Sequence, residues 1–361
     1  LTMKDEKRLK VVEMLMDGKL STSEAATVLS LTERSVYRLV SEVRREGPGG
    51  VIHGNRGRAS PQRISDRVRQ RIVKLAQGKF ADINDTHLGE LLAEHENILV
   101  SRESLRCILR EAGIGPKRKR RSRKRRSRRP RRESFGALLQ IDASHHDWLE
   151  GRGPRLVIVG AIDDATGHVW AVFAEAETSQ AYFDLMTIIF SSHGLPLALY
   201  TDRHSIFHTN REPNILEQLA DKKPSTQFGR AMEELEVEVI KAWSPQAKGR
   251  IEREWGTLQD RMVVEMRLAG VSDLEAANRF LKDSLQKRNR RLTIKPKKAA
   301  SAFRKPPHKQ ELRRILCHKE TRKVKKDHTI AFGGLALQLP PNKHYPILAD
   351  KKVDVLRFAD D

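Results

Sequence analysis

The sequence predicts a multidomain chain: all-α helix-turn-helix units at its N-terminal end, an α/β core in the middle and a small β-barrel at its C-terminal end. Three observations lead there. At 361 residues the chain exceeds one ordinary domain and fits two to four. Apolar spacing is helical up to residue 116 and becomes strand-like from Phe135. Charge is segregated: residues 1–116 carry 20 basic and 16 acidic side chains, 117–132 carry 13 and none, 133–290 carry 18 and 24, and 291–361 carry 18 and 7. An acidic centre between basic flanks suits a catalytic body carried by polyanion-binding parts.

Composition excludes other classes. Apolar residues make up 38%, enough for real cores and too many for a disordered chain. Two cysteines, Cys107 and Cys317, exclude a disulfide scaffold and a Cys-rich zinc finger and fit a reducing cytosol. No apolar run approaches 18 residues, and the polar start Leu1-Thr2-Met3-Lys4-Asp5 lacks a signal core, so a soluble cytoplasmic protein is expected.

Residues 1–46 form the first expected domain. Residues 7–17 and 21–46 read as helices, with a break over Leu29–Ser35. Ser21 with Glu24 has capping-box spacing, and Thr32 marks the second start. Helix, short turn, helix is a helix-turn-helix, which would set Arg34, Ser35 and Arg38 toward a major groove. A plain three-helix bundle with a solvated basic face is the bland reading. Residues 47–62 are a linker whose Arg56 and Arg58 either follow a minor groove or belong to a flexible connector. Residues 63–116 read as a second helical DNA-binding unit, with Arg102 on a recognition-type helix and Cys107 expected as a small buried residue. The basic linker 117–132 reads KRKRRSRKRRSRRPRR. Its Lys117, Arg118, Arg120, Arg121, Arg125 and Arg126 are expected to neutralise phosphates without reading sequence.

The core, residues 133–290, alternates strands and helices. Strands are expected at 137–142, 155–162, 169–174, 197–202 and 237–243, the first three as a meander, and helices at 179–193, 228–235 and 250–268. Asp142 and Asp202 end the first and fourth strands. That order, with acids at those ends, is the layout of a ribonuclease-H-like fold.

The segments QIDAS (from Gln140), AIDDATGHVWAVF (from Ala161), LYTDRHSIF (from Leu199) and Ser244 to Arg261 resemble the integrase-like DDE transposases of bacterial insertion sequences, nearest the ISNCY-like group. The resemblance implies DNA strand transfer by an acidic triad, Asp142, Asp202 and Glu252, holding two Mg²⁺ (or Mn²⁺) ions. Glu238, 36 positions after Asp202, and Glu254 are the alternatives for the third acid; Glu252 is preferred because it follows the Ser-Pro-Gln-Ala-Lys-Gly turn. Such carboxylates repel one another without metal, so the empty site is expected to be poorly assembled. Lys248 and Arg250 are expected to grip the DNA end. His145 and His146 touch substrate or sit in a surface loop, and Asp163 and Asp164 are read as structural turn residues. Arg203-His204 stands where integrases commonly carry Asn-Gly. No Walker A motif is present, so strand transfer would need no ATP.

Residues 291–320 read as a Pro- and Lys-rich linker. Residues 321–361 alternate, with a hairpin across Gly333-Gly334, and are expected as the small β-barrel, which would hold DNA or a second subunit. The expected partners are inverted-repeat transposon ends, target DNA and further copies of the chain assembled on DNA. The competing readings are a DNA-binding regulator with an inactive core and a ribonuclease-H-type nuclease that cuts without joining.

Overall fold

A computed structural model describes residues 2–57, 63–117, 129–213, 215–219, 224–242, 248–340, 343 and 347–358, the side chains of 216 and 217 excepted. The chain forms two compact units, Leu1–Ile72 and Val73–Asp361.

The first unit holds α1 (Met3–Met16), α2 (Thr22–Leu29) and α3 (Glu33–Glu46). Their starts are chemical. Ser21 and Glu24 form the expected capping box, and the Thr32 hydroxyl accepts from the Ser35 N–H at 3.3 Å. Ser30 adopts a left-handed φ of 56° between α2 and α3. The apolar stripes meet at Val11, Ala25, Ala26 and Val36. After α3 a 3₁₀ turn, Gly47–Val51, folds back on it so closely that a Cβ on Gly50 would lie 2.5 Å from the Glu42 carbonyl. Part of the expected linker is therefore packed structure, and Arg56 closes it by pairing with Asp5, a carboxylate only 2% exposed.

α4 (Asp66–Gln77) leads into the second unit, where α5 (Asp85–Glu96) and α6 (Arg102–Glu111) follow, capped by Asn84 and Ser101. The core comprises β1 (Leu139–His145), β2 (Val157–Asp163), β3 (Val169–Ala174), α7 (Ser179–Ser192), β4 (Ala198–Thr201), α8 (Ile215–Leu219), α9 (Gln227–Glu234), β5 (Glu238–Lys241), α10 (Gly249–Leu268) and α11 (Leu274–Leu292). The sheet order is β3-β2-β1-β4-β5. β1, β2 and β3 pair antiparallel as the expected meander, and β4 and β5 run parallel to β1. These are the order and directions of the ribonuclease-H-like layout. One face buries Leu139, Ile141 and Val159 with Tyr182, Phe183 and Met186 of α7 and Phe228 of α9. The other buries Ile158, Ile162 and Phe173 with Trp255 and Met262 of α10 and Leu281 of α11. Each such fully buried side chain contributes about 1.5–3 kcal/mol relative to exposure.

α5 does not stand apart from this core. Asn84 donates to Asp260 at 2.6 Å, His87 lies 2.9 Å from Glu265, and Glu90 pairs with Arg261 and Arg291. α5 is thereby fastened to α10 and α11 by polar bridges.

At the C-terminal end α12 (Lys309–Ile315) is followed by β6 (His318–Lys323), β7 (Thr329–Phe332), β8 (Leu335–Gln338) and β9 (Lys352–Arg357). The hairpin across Gly333-Gly334 forms, but the described strands make two separate two-stranded ladders, β6–β9 and β7–β8, and no closed barrel. A barrel needs every strand paired on both edges around a filled interior. β6 reads His-Lys-Glu-Thr-Arg-Lys, with no apolar side chain to fill one, and β8 is exposed throughout.

Candidate active site

β1 and β4 are parallel neighbours in which Gln140 pairs with Tyr200. Asp142 and Asp202 each lie two residues further on, so the register brings the two carboxylates level and side by side. Glu238 pairs with Ala198, at the opposite end of β5, four residues short of the level of Asp202 and roughly 13 Å away at strand rise. It cannot join them.

One ammonium serves both aspartates. Lys248 Nζ lies 2.7 Å from Asp142 Oδ1 and 3.5 Å from Asp202 Oδ2, with its side chain only 6% exposed. Trp255 Nε1 donates to the other oxygen of Asp142, Oδ2, at 3.1 Å. Burial pushes the Asp142 carboxyl above the usual carboxylate range, and the Asp202 charge adds to that; Lys248 and the Trp255 N–H oppose it. Asp202, 44% exposed, accepts from the His204 N–H at 2.9 Å, which fixes the turn after β4. Among the described residues no three His, Cys, Asp or Glu side chains stand within one ion's reach, and the cation between the aspartates is the lysine's own.

α10 explains why these groups meet. Lys248, Ile251, Trp255 and Gln259 recur every three or four residues and face β1: Lys248 and Trp255 reach Asp142, the Ile251 N–H points to Gln140 Oε1 at 3.4 Å, and Gln259 donates to Ser144 Oγ at 2.9 Å. Glu252, one turn after Lys248, lies about 40° round the helix from it and is exposed beside that face. Glu254 is turned away. It is 8% exposed and holds Arg288 of α11 through two hydrogen bonds, of 2.8 and 2.6 Å. Trp255 reaches Asp142 by lying across β2, where a Cβ on Gly160, the residue paired with Asp142, would sit 2.5 Å from the indole. Gly160 and Trp255 escaped the sequence reading. Their signals were a glycine inside a buried strand and an indole N–H that needs an acceptor.

Asp163 and Asp164 are fully buried. Asp163 accepts from the Gly136 N–H and from both the N–H and hydroxyl of Thr166. Asp164 accepts from Gln140 Nε2, Arg250 Nε, the Arg132 N–H and Arg129.

The expected DNA contacts divide into groups. Arg34 and Arg38 are exposed on α3 with Tyr37, Ser35 is half-buried and bonded to Thr32, and Arg102 is exposed on α6. Other expected contacts turn inward. Lys248 holds the aspartates, Arg250 holds Asp164, Arg56 holds Asp5, and Lys117 pairs with Asp260 at 3.0 Å. His145 is exposed and lies 2.9 Å from Glu177, which also accepts from the Tyr182 hydroxyl. Arg58, Arg118, Arg120, Arg121, Arg125 and Arg126 lie outside the described residues. Cys107 is exposed, opposite the buried Leu105, Ile108 and Leu109 on α6.

Residues 8–70 match the family of winged helix-turn-helix domains, which supports DNA binding by the N-terminal helices. In the first unit no strand follows α3 among the described residues. Among solved structures, the chain is similar to the simian T-cell lymphotropic virus intasome bound to PP2A regulatory subunit B56 gamma, at 16% identity over 73% of this chain and 84% of that one, with a TM-score of 0.38. It is similar also to the catalytic core domain of BIV integrase, at 20% identity over 40% and 80%, with a TM-score of 0.28. Among curated proteins, y4bF of Sinorhizobium fredii, a chain named as a transposase, is 35% identical over 360 residues, 99% of this chain and 77% of that one. The transposase for insertion sequence IS1202 of Streptococcus pneumoniae is 32% identical over 91% of this chain and 77% of its own length. With likeness of that degree running through both units, the chain belongs to the family of insertion-sequence transposases.

Proposed function

We propose that this transposase binds the inverted-repeat ends of its element, cleaves their 3′ ends and joins them to target DNA at a centre formed by Asp142, Asp202 and Glu252. The observation that carries the reading is the shared ammonium: Asp142 and Asp202 both hold the Lys248 cation. Two level carboxylates around a positive charge are a donor set that a hard divalent ion accepts, and Glu252, exposed beside the face of α10 that meets β1, would complete it. Two Mg²⁺ or Mn²⁺ ions bound there would supply the charge neutralisation, nucleophile activation and leaving-group stabilisation that phosphodiester transfer requires. The remaining work falls to the chain. Trp255 fixes one oxygen of Asp142 and leaves the other to Lys248. Lys248 balances the aspartates before catalysis and, once released, is placed to meet a phosphate. Arg34, Ser35 and Arg38 read the ends, and joining two ends requires more than one copy on the DNA.

The test is strand transfer on end oligonucleotides with Mg²⁺. Asp142→Asn should lower joining by about 10³-fold or more while end binding is unchanged. Equal loss of binding and joining would count against the assignment, cutting without joining would favour a nuclease, and no metal-dependent activity in the parent chain would favour a regulator.

A further inference from the structure

We infer that Asp164 is a positioning residue for catalysis, acting through Arg250 and Gln140 to fix the first turn of α10 against β1. The inference rests on the proposed site and adds to it a residue that cannot touch DNA.

Asp164 is 0% exposed, in the turn between β2 and β3. Three segments converge on it. From β1 comes Gln140 Nε2, at 2.9 Å from Oδ1. From α10 comes Arg250 Nε, at 2.8 Å from the same oxygen. From the end of the basic run come the Arg132 N–H at 2.8 Å from Oδ2 and the Arg129 guanidinium. Arg131 adds bonds to the Asp164 and Ala165 carbonyls, and Arg250 Nη2 donates to the Arg129 carbonyl at 3.1 Å. Burial alone would raise this carboxyl; the donors outweigh it and hold it below the usual range, so it remains an anion.

The position of this hub matters more than its strength. Gln140 stands two residues before Asp142, and Arg250 two before Glu252. Gln140 closes the loop by offering its Oε1 to the Ile251 N–H while its Nε2 serves Asp164. One buried carboxylate thus sets how far along β1 the first turn of α10 lies, and with it the distance from Glu252 and Lys248 to Asp142. An error of about 1 Å in such a constellation costs on the order of 10² in rate. Arg250, a basic residue beside a catalytic acid, invites assignment to DNA. Its side chain is only 17% exposed, and its guanidinium is engaged by Asp164 and the Arg129 carbonyl.

The experiment compares Arg250→Gln, Arg250→Lys, Asp164→Asn and the double variant Asp164→Asn/Arg250→Gln with the parent full-length chain, on end oligonucleotides over a salt series. Arg250→Gln leaves Asp164 three other donors, so it should fold with an unchanged melting temperature to within a few degrees. The expected result is a 10- to 100-fold fall in kcat for strand transfer, with KM for the end within about twofold and an unchanged salt slope of binding. Asp164→Asn should show the same split despite having no access to DNA. The double variant should be no worse than the poorer single one, and Arg250→Lys should recover part of the rate. If Arg250→Gln instead loosens binding and reduces the salt slope by about one phosphate, with kcat intact, Arg250 is a DNA contact and the inference fails. It fails also if both single variants keep full kcat, or if activity falls only in proportion to unfolded protein. Asp142→Asn run alongside separates this outcome from failure of the site itself, since joining that survives that substitution removes the site and leaves the hub nothing to position.

Discussion

Two glutamates two positions apart on α10 have opposite surroundings, and the proposed site assigns them opposite tasks. Glu252 is exposed beside the face that meets Asp142, whereas Glu254 is buried against Arg288. Glu252→Gln should abolish strand transfer with no change in melting temperature. Glu254→Gln should strand a buried guanidinium and cost roughly 3 kcal/mol of stability, read by urea denaturation, while the folded fraction keeps its rate. The separation was legible in the sequence through helix periodicity, because two residues on α10 are about 200° apart. The inward turn of Lys248 and Arg250 was not legible. A basic side chain beside an acidic site looks the same whether it faces a phosphate or a buried aspartate, and only the register of β1, β2 and α10 decides. Cys107 shows a similar gap: its chemistry suits burial, but the stripe of Leu105, Ile108 and Leu109 leaves it outside.

Elements were legible where local chemistry is strong. The strands, the helices α7 and α10 and the Ser21 and Thr32 starts follow from apolar period and capping residues. Thr32→Ala should cost about 1 kcal/mol, measurable as a lower melting temperature of the first unit and weaker end binding. α12 was not expected because Pro306-Pro307 marks a connector, yet His308 caps the helix that follows at once. The expected barrel does not form: alternation predicts strands but not that a polar β6 and an exposed β8 will close a cylinder. Within the core, contact between β2 and α10 makes its own prediction. Gly160→Ala should drive a methyl into Trp255, cost about 1–3 kcal/mol and slow strand transfer by loosening the Trp255–Asp142 bond. Trp255→Phe, which removes the N–H but keeps a ring, should reproduce the rate loss with a smaller loss of stability.

Across the molecule the acidic middle is a folded core, and the charge arithmetic of the sequence anticipated that. It could not anticipate that α5 is fastened to α10 and α11, because those ion pairs join residues more than a hundred positions apart. The core also carries a pH signature. His168 lies among Phe135, Trp170 and His193, and burial lowers its pKa from 6.5 to about 4. The unfolded chain therefore binds the extra proton between about pH 6.5 and 4, so this contribution to stability is complete above pH 6.5 and is lost as pH falls toward 4. Urea midpoints at pH 4.5 and 7.5 should differ more in the parent chain than in His168→Phe. The most direct test of the whole account counts ions. Mn²⁺ titration of the complex with end DNA, followed by electron paramagnetic resonance, should give two tightly bound ions per active site in the parent chain and fewer in Asp142→Asn and Asp202→Asn. Equal numbers of ions in all three proteins would contradict a metal centre built on these aspartates.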